Sequence, residues 1–404
     1  MIDKGPTQQT RVDVEPDCRG ARRGARKIKV CHLASGDLWA GAEVQLSLLV
    51  SSLQSMSEFD TSVILLNDGV PASELRRRGI STTVIPESRH SAASIVRQLV
   101  AYFAHRQVDI LHTHNFKDNI LGILSTLPYG RCRRVRTVHG RGEPFTGLAA
   151  AKMRLYRGFD HLFTRWLVDR VVAVSVDLES HLARSLGAQR VRCIHNGIDL
   201  EQVRVMNPPT ELRRALKLGA HDFVIGTLGR LVPVKGLETF LKAACIIRDR
   251  KKNAKFVVAG DGPLKEMLHA LARDYGLAQD VLFLGHRDDN YDVLAMMDVL
   301  VLSSLSEGIP MVLLEALALA RPVVASRVGG IPEVIEDCIT GLLFGAAREE
   351  ELAEACMALM DDDNLAKQLG LAGQRRVRER FSVRSMTDRV AEVYRSLVVP
   401  AQIN

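Results

Sequence analysis

Two glutamates with the spacing of a possible ligand site stand eight positions apart in a mostly apolar segment, at Glu307 and Glu315. Glu315 is the only charged residue between Ile309 and Ala320. Because an unpaired buried carboxylate is very costly, Glu315 must be paired with a cation, protonated, or turned toward a polar ligand. Ionised carboxylates accept hydrogen bonds from hydroxyl groups, so the two residues could bind a polyhydroxyl ligand. On this segment alone, a structural ion pair for Glu315 is the alternative.

Two cations lie in a loop rich in helix-breaking residues, where Arg230 and Lys235 stand between Gly229 and Gly236. An arginine can donate two parallel hydrogen bonds to phosphate oxygens, and a lysine supplies a mobile positive charge. Glycine and the first amides of the following helix can surround an anion. The loop therefore predicts a diphosphate site, with a solvated basic loop as the alternative.

Three histidines stand at the ends of predicted strands, His112 and His114 after one strand and His139 after another. A histidine in such a position is often structural, and that alternative stays open for His112 and His114. We otherwise assign these two to the side of the site that receives an acceptor. No spacing typical of metal ligands links the three residues, so we predict no metal site.

The elements that must position these residues follow an alternating pattern. Apolar strand-like runs alternate with helical patterns from about residue 29 onward, which predicts an α/β fold with parallel sheets covered by helices on both faces. Open sheets of this kind bind ligands at the carboxyl ends of their strands, where these candidates lie. The predicted strands are 28–33, 62–66, 81–86, 108–112, 135–139 and 171–175 in a first unit, and 223–227, 256–259, 281–284, 299–302 and 322–325 in a second.

The Glu307 and Glu315 spacing resembles the Glu, seven residues, Glu signature of retaining nucleotide-sugar glycosyltransferases of the glycogen-synthase-like, group 1 (family 4) type. The resemblance covers residues 27 to 398 and implies the GT-B architecture, in which two Rossmann-like domains face each other across a cleft. The expected organisation is a basic, disordered tail (1–26), an N-terminal acceptor domain (27–205), a linker (206–221), a C-terminal donor domain (222–375) and a C-terminal helix returning to the N-terminal domain (376–404).

The resemblance also implies roles for individual residues. Glu307 would contact the hydroxyls of the donor sugar, and Glu315 would hold the ribose. Arg230 and Lys235 would neutralise the departing diphosphate, which would make a metal ion unnecessary. His139 would lie beside the reacting sugar. His139, Glu307, Arg230 and Lys235 are therefore the catalytic candidates.

Further donor-binding candidates follow from the same resemblance. The first-domain phosphate contact is assigned to Gly41, although the family usually has a glycine pair where this chain has Ala40 and Gly41. The remaining candidates are the base-contacting edge Gly285, His286 and Arg287, and the residues after Glu307, namely Gly308, Ile309 and Pro310. Pro310 suits the first turn of a helix.

The predicted activity is retaining transfer of a hexosyl group from a nucleoside-diphosphate sugar, with UDP favoured over GDP. The acceptor would be a glycan, a lipid-linked sugar or a small molecule in cell-envelope or polysaccharide synthesis. A double displacement through an enzyme carboxylate lacks an obvious pair of acids, so a same-face mechanism is implied. The alternatives are a nucleotide-sugar epimerase of the same architecture and a catalytically silent partner subunit that binds nucleotide sugar.

Composition and charge bear on where the protein acts. The 404 residues carry a net charge of +7, and residues 1 to 29 contribute +4 of it. The seven cysteines lack paired spacing, which favours reduced thiols and a cytoplasmic protein, and no apolar run is long enough to span a membrane. The basic tail and the basic, apolar segment 148–171 suggest contact with the inner face of an anionic membrane, against the alternative of a solvated tail and an ordinary packed helix. Nucleic acid is an unfavoured partner.

Overall fold

The structure is a computed structural model that describes residues 26–37, 39–141 and 147–398. The predicted basic tail lies outside the described residues except for its last position, Arg26. Within these ranges, no helix is long and apolar enough to cross a bilayer.

The first domain is built on a seven-stranded, all-parallel sheet of order β3-β2-β1-β4-β5-β6-β7. Six helices connect the strands and cover both faces. The strands are β1 (Ile28–Ala34), β2 (Phe59–Leu65), β3 (Ser81–Val84), β4 (Ile110–Thr113), β5 (Arg133–Val138), β6 (Arg170–Ala173) and β7 (Val191–Cys193). The helices are α1 (Gly41–Gln54), α2 (Val70–Arg77), α3 (Ala92–Arg106), α4 (Phe116–Thr126), α5 (Gly147–Leu167) and α6 (Val176–Leu186).

The second domain repeats this plan on a six-stranded parallel sheet of order β10-β9-β8-β11-β12-β13. Its strands are β8 (Phe223–Leu228), β9 (Ala254–Ala259), β10 (Val281–Gly285), β11 (Val299–Leu302), β12 (Val323–Ser326) and β13 (Leu342–Phe344). Its helices are α7 (Pro209–Ala215), α8 (Leu237–Arg250), α9 (Lys265–Asp274), α10 (Asn290–Met296), α11 (Met311–Ala318), α12 (Ile331–Val334), α13 (Glu349–Asp361) and α14 (Asp363–Arg380). The α/β class and the pair of Rossmann-like domains are confirmed.

Two short strands were missed by the sequence prediction, β7 and β13. Each has three residues, which is too short for a period-two pattern to stand out. The predicted linker also contains a helix, because α7 begins at Pro209. Leu212, Leu216 and Leu218 around this helix pack into the core of the second domain.

The chain returns to the first domain at its end, as predicted. Helix α15 (Val383–Val398) buries Met386, Val390 and Tyr394 against residues of β1, α1 and β2. The other crossing between the domains begins next to Ile198. The amide of Val383 donates a hydrogen bond to the carbonyl of Ile198 (3.0 Å), and the amide of Ile198 donates one to the carbonyl of Phe381 (2.8 Å). The two crossings are therefore tied side by side.

Candidate active site

The Lys235 and Glu307 side chains meet at the carboxyl ends of β8 and β11. Lys235 ends a 3-10 helix that follows β8, and its Nζ lies 2.6 Å from Oε1 of Glu307. Ser304 donates its hydroxyl to the same oxygen at 2.7 Å, and Ser303 donates to the backbone carbonyl of Lys235 at 3.0 Å. The two predicted residues thus form one ion pair, in which Lys235 can exchange the carboxylate for a phosphate oxygen and Glu307 can exchange the ammonium group for a ligand hydroxyl.

Arg230 and Lys235 line one pocket at the end of β8. Gly236, which immediately precedes α8, has a left-handed backbone with φ of 59°, and a Cβ there would lie 2.2 Å from the carbonyl oxygen of Ser303. Glycine is therefore required at this position. The resulting turn directs the two cations and the first amides of α8 toward one region, which suits a diphosphate.

Glu315 lies in α11 and is only 9% exposed. Burial raises the pKa of its carboxyl group to about 7. Within the described part of the chain, no ion pair or side-chain hydrogen bond is found for Glu315, which removes support for a structural Arg or Lys partner. A nearly buried carboxyl group of this kind is suited to accept hydrogen bonds from ligand hydroxyls.

The first turn of α1 faces this pocket from the other domain. Gly41 begins the helix, and a Cβ there would meet Cγ of Met311 in α11 at 3.7 Å, an ordinary contact. Burial raises the pKa of Glu43 to about 6, and the charge of Arg230 acts in the opposite direction. The α1 terminus therefore lies near the second-domain cation, where an amide contact to phosphate is feasible.

The strand end at His139 touches the glutamate loop of the second domain. A Cβ on Gly308 would lie 2.3 Å from the backbone oxygen of His139, so only glycine permits this approach. The carbonyl of Ile309 accepts a hydrogen bond from Asn196 at 2.8 Å, also across the domains. Pro310 occupies the position immediately before α11 rather than its first turn. Gly308 and Ile309 thus contact the first domain next to Glu307.

The predicted acceptor role of His112 needs correction. His112 is 0% exposed, with Nδ1 2.5 Å from the hydroxyl of Tyr394 and Nε2 2.7 Å from Oγ1 of Thr137. Because both ring nitrogens are engaged in the interior, His112 is a structural residue. His114 is also buried and lies between His32 and the partly exposed His139. It reaches the cleft only through His139.

The base-edge candidates lie at the end of β10, the edge strand of the second sheet. Gly285 has a left-handed φ of 67°, and its carbonyl accepts the amide of Gly260 at 2.7 Å. The His286 side chain is 66% exposed and lies 3.3 Å from Asp288, and Arg287 pairs with Asp289. Arg287 would have to exchange this carboxylate to contact a base.

The sequence analysis overlooked four residues that organise the site. His32, in β1, contacts His114, and Tyr394, in α15, contacts His112. Asp118 is fully buried and accepts the amides of His114 (2.8 Å) and Asn115 (2.9 Å), which holds the corner after β4. For His32, the available signal in the sequence was a histidine inside the apolar run of β1.

Glu333 is the fourth overlooked residue, and it connects the domains. Its carboxylate accepts the amide of Val176 at 2.9 Å, at the start of α6, and lies 2.8 Å from Nε2 of His195. Burial by itself would raise the pKa of Glu333. The contact with His195 and the amides of Val176 and Asp177 outweigh this effect, so the pKa is lowered. The second domain therefore caps a helix of the first.

Two groups of described residues have the ligand types and spacing of a metal site, each with ligand atoms within 4.8 Å of one another: His32, His112, His114, and Cys193, His195, Glu333. In the first group every ring nitrogen already has a hydrogen-bond partner. In the second, the carboxylate caps α6. A metal ion would have to displace these hydrogen bonds. That the reaction needs no metal ion stays a prediction.

Two Rossmann-like domains facing across a cleft, with a cationic pocket, a carboxylate in a strand-end loop and a second in the following helix, define a GT-B enzyme that uses a nucleotide sugar. The sequence model described as "Glycosyl transferases group 1" matches residues 209–376, and that described as "Glycosyltransferase Family 4" matches residues 39–202. The chain belongs to the group 1 glycosyltransferases.

Several relatives are named for transfer reactions. The chain is 25% identical over 384 residues to an Escherichia coli UDP-Gal:alpha-D-GlcNAc-diphosphoundecaprenol alpha-1,3-galactosyltransferase, covering 92% of this chain and 98% of the relative. It is 31% identical over 278 residues to a GDP-mannose-dependent alpha-(1-6)-phosphatidylinositol monomannoside mannosyltransferase of Mycobacterium tuberculosis, covering 66% and 70%. HepE of Anabaena in complex with UDP-glucose has the same fold, with a TM-score of 0.80, 22% identity, and coverage of 91% and 99%.

These relationships bear on the alternatives left open by the sequence. The family is one of transferases, and relatives along nearly the whole chain are named as such. The protein is therefore a glycosyltransferase that uses a nucleotide-sugar donor. The epimerase and the silent partner subunit have no support.

Proposed function

We propose that the protein is a retaining hexosyltransferase that uses a UDP-sugar and acts on a lipid-linked acceptor at an anionic membrane surface. The observation that carries the donor assignment is the meeting of Arg230, Lys235 and Glu307 at one strand-end pocket beside the partly exposed His139. This arrangement supports a site in which cations for the diphosphate lie next to an acceptor for sugar hydroxyls.

The proposed transfer takes place on one face of the sugar. Arg230 and Lys235 stabilise the charge that develops on the departing diphosphate, whose oxygen helps to remove the proton of the attacking acceptor hydroxyl. Glu307 and Glu315 stay on one corner of the second domain and serve as binding groups. The two cations take the place of a metal ion, so none is required. The contact of Gly308 with His139 keeps water out when the cleft is occupied.

UDP is the proposed nucleotide because of the relative with the greatest overlap among those compared above. The E. coli enzyme named for UDP-Gal aligns with 92% of this chain, whereas the mycobacterial enzyme named for GDP-mannose aligns with 66%. Both names contain a lipid-bearing acceptor, which supports the acceptor class.

The donor proposal is tested by thermal-shift binding of UDP, GDP and ADP, each with magnesium and with a chelator. A ligand that binds only the folded protein raises its apparent stability. We expect a shift with UDP that survives chelation and is lost in an Arg230→Ala, Lys235→Ala double variant. The matched control is Arg250→Ala with Lys252→Ala, two exposed cations at and just after the end of α8. A shift that requires magnesium, or one that the site variant retains, contradicts the assignment.

An exposed apolar stripe on α5 supports the membrane proposal. Leu155, Phe159, Leu162 and Trp166 follow one another at intervals of four, three and four residues, which places them on one helix face. They are 61%, 47%, 48% and 70% exposed. The opposite side of α5 buries Asp160 and Thr164, so the helix is packed on its domain and also presents an apolar face.

The charges around this stripe favour an anionic bilayer as the occupant. Arg154 and Arg165 on the same helix are exposed, and the guanidinium of Arg165 lies 5.7 Å from the ring centre of Trp166. Arginines beside aromatic and aliphatic side chains are typical of helices that lie in the interface of anionic membranes. A lipid-linked acceptor would then be available at the surface to which the first domain binds.

The membrane proposal is tested by co-sedimentation with vesicles of phosphatidylglycerol and phosphatidylcholine. A triple variant in which Leu155, Phe159 and Trp166 are each replaced by serine is expected to lose binding to anionic vesicles. Its UDP binding is expected to be unchanged. The control replaces three exposed apolar residues of the second domain, Met267, Ile339 and Leu371. Binding that persists in the α5 variant refutes the assigned surface.

A further inference from the structure

A line of hydrogen-bonded side chains runs from the interior of the first domain to the cleft. It comprises Thr137, His112, Tyr394, His32, His114 and His139, in that order. The distances are 2.7 Å for Thr137 Oγ1 to His112 Nε2, 2.5 Å for His112 Nδ1 to the Tyr394 hydroxyl and 3.4 Å for that hydroxyl to His32 Nε2. They are 3.1 Å for His32 Nδ1 to His114 Nε2 and 3.3 Å for His114 Nδ1 to His139 Nε2.

All four imidazoles of this line are neutral near neutral pH. Burial lowers the pKa of His32 to about 3 and that of His139 to about 4, and burial together with the neighbouring histidines holds the pKa of His112 and His114 well below the usual value. A neutral imidazole has one N–H donor and one bare acceptor nitrogen. The tautomer of each ring is therefore tied to that of its neighbour, and the whole line must point in one direction.

The buried hydroxyl at the inner end selects that direction. Thr137 is 6% exposed, and among the described residues its Oγ1 has a single polar contact, Nε2 of His112. A buried hydroxyl proton without an acceptor is costly, so Thr137 donates to His112. His112 must then donate from Nδ1 to Tyr394, Tyr394 to His32, His32 from Nδ1 to His114, and His114 from Nδ1 to His139.

We infer that His139 carries its proton on Nδ1 and presents an uncharged N–H donor to an oxygen of the bound donor substrate. Its Nε2 is occupied as the acceptor for His114, so Nδ1 is the atom left for the substrate. Thr137 and Tyr394 are positioning residues, since they act only through the histidines. The functional part of this inference rests on the proposed placement of His139 beside the reacting sugar.

The direct test is a ¹⁵N NMR spectrum of the histidine side chains in the whole protein at pH 7, assigned with single histidine variants. We expect a protonated Nδ1 and a bare Nε2 at His32, His112, His114 and His139 alike. A protonated Nε2 as the main form of any of the four overturns the inference, whatever the activity. This outcome does not depend on the proposed function.

The hydroxyl of Tyr394 is tested in the same spectrum. Tyr394→Phe removes the hydroxyl that donates to Nε2 of His32, so the direction set by Thr137 no longer reaches the outer rings, and a protonated Nε2 is expected to appear at His32, His114 and His139. Tyr129→Phe is the control, because its hydroxyl donates to the carbonyl of Val100 at 3.0 Å, away from this line. Unchanged signals of His32, His114 and His139 in Tyr394→Phe would show that the line does not pass through this hydroxyl.

The functional consequence is tested by two replacements of His139. The amide nitrogen of asparagine can take the position of Nδ1, whereas that of glutamine extends to the position of Nε2. We expect His139→Asn to retain at least tenfold more transferase activity than His139→Gln, with equal UDP binding. If the NMR result holds but both variants turn over like the wild type, the placement of His139 beside the sugar is wrong while the tautomer assignment stands.

Discussion

At the scale of single residues, Glu315 shows how burial prepares a binding group. The carboxyl group is 9% exposed, has no charged partner among the described residues, and has a pKa raised to about 7. Near neutral pH it is therefore divided between the protonated and the ionised form. Ribose hydroxyls that donate to it would favour the ionised form and lower its pKa, so nucleotide binding and proton release are coupled.

This coupling predicts a pH dependence of nucleotide affinity. Between about pH 5 and 7 the free enzyme must lose a proton from Glu315 to bind, so UDP affinity is expected to fall by up to about tenfold per pH unit below 7. Calorimetry in buffers of different ionisation enthalpy should show proton release. Glu315→Gln should abolish the release and flatten the pH profile. A pH-independent affinity in the unmodified enzyme would contradict the ribose role.

Glu315→Gln should also change the stability of the free enzyme. The folded pKa is raised above the unfolded value, so the glutamate's relative contribution to stability is full below about pH 4.5 and is lost as pH rises through 7. The unfolding free energy of the glutamine variant minus that of the wild type is therefore expected to be larger at pH 8 than at pH 5. Denaturant unfolding at the two pH values measures the difference.

The Lys235 and Glu307 pair predicts non-additive variants. Lys235→Met should weaken UDP binding, and Glu307→Gln should reduce transfer by about 10²-fold with a modest effect on UDP binding. Because each residue is the other's partner at 2.6 Å, the double variant should deviate from additivity in stability by about 1 kcal/mol or more. Additive changes in unfolding free energy would show that the ion pair is not coupled in solution, and normal turnover of Glu307→Gln would exclude it from the site.

At the scale of elements, strand-end loops from the two domains meet with no space between their backbones. The loop after β11 places Gly308 against the oxygen of His139, and Gly330 lies next to Ser175 at the start of α6, where an added Cβ would be 2.8 Å from the serine Cβ. Glu333 then caps α6. The second domain therefore positions the strand end at His139 through the backbone of its loops and through the Glu333 carboxylate.

Gly308→Ala tests this contact. A Cβ placed 2.3 Å from a backbone oxygen has no flexible neighbour that could move away, so the two loops must separate. Since displacement of reacting groups by about 1 Å can cost about 10²-fold in rate, we expect kcat to fall by about that factor while the UDP Kd changes little. Gly130→Ala is the control, because an added Cβ there meets nothing within 4 Å. Equal kcat values for the two variants would exclude the contact from catalysis.

At the scale of the whole molecule, α15 makes the first domain dependent on the end of the chain. Val390 and Tyr394 are 2% and 0% exposed and pack with Val30, Leu49 and Phe59 of the first domain. Removing this helix would expose one face of the first sheet and the inner end of the histidine line. The C-terminal segment is therefore part of the N-terminal domain's core.

A charged substitution on α15 is expected to unfold that core. Val390→Asp places a carboxylate among apolar side chains, and a loss of about 3 kcal/mol or more in unfolding free energy is predicted. Ser385→Asp adds the same charge at an exposed position of the same helix and should change stability by less than about 0.5 kcal/mol. Denaturant unfolding followed by circular dichroism distinguishes them, and similar midpoints would mean that α15 is not docked.

Much of the architecture follows from the local pattern of the sequence. Alternation of apolar strands with helices is a local property, so the α/β class and both Rossmann-like domains were predicted, while the three-residue strands β7 and β13 were not. The sequence indicated that Lys235 and Glu307 lie near each other, because both follow buried strands and neighbouring parallel strands bring their carboxyl ends together. Helix α7 was read as linker because Pro208 and Pro209 at its start interrupt the apolar pattern.

Residue types and spacing by themselves predicted a donor site with two cations and two carboxylates. Only the tertiary structure decided that His112 is structural, that His32 and Tyr394 join it in one line, and that Glu333 serves the other domain. Tyr394 lies 282 positions from His112 along the chain, and no local periodicity relates them. Such contacts depend on how sheets and helices pack, so they are settled only when the chain has folded.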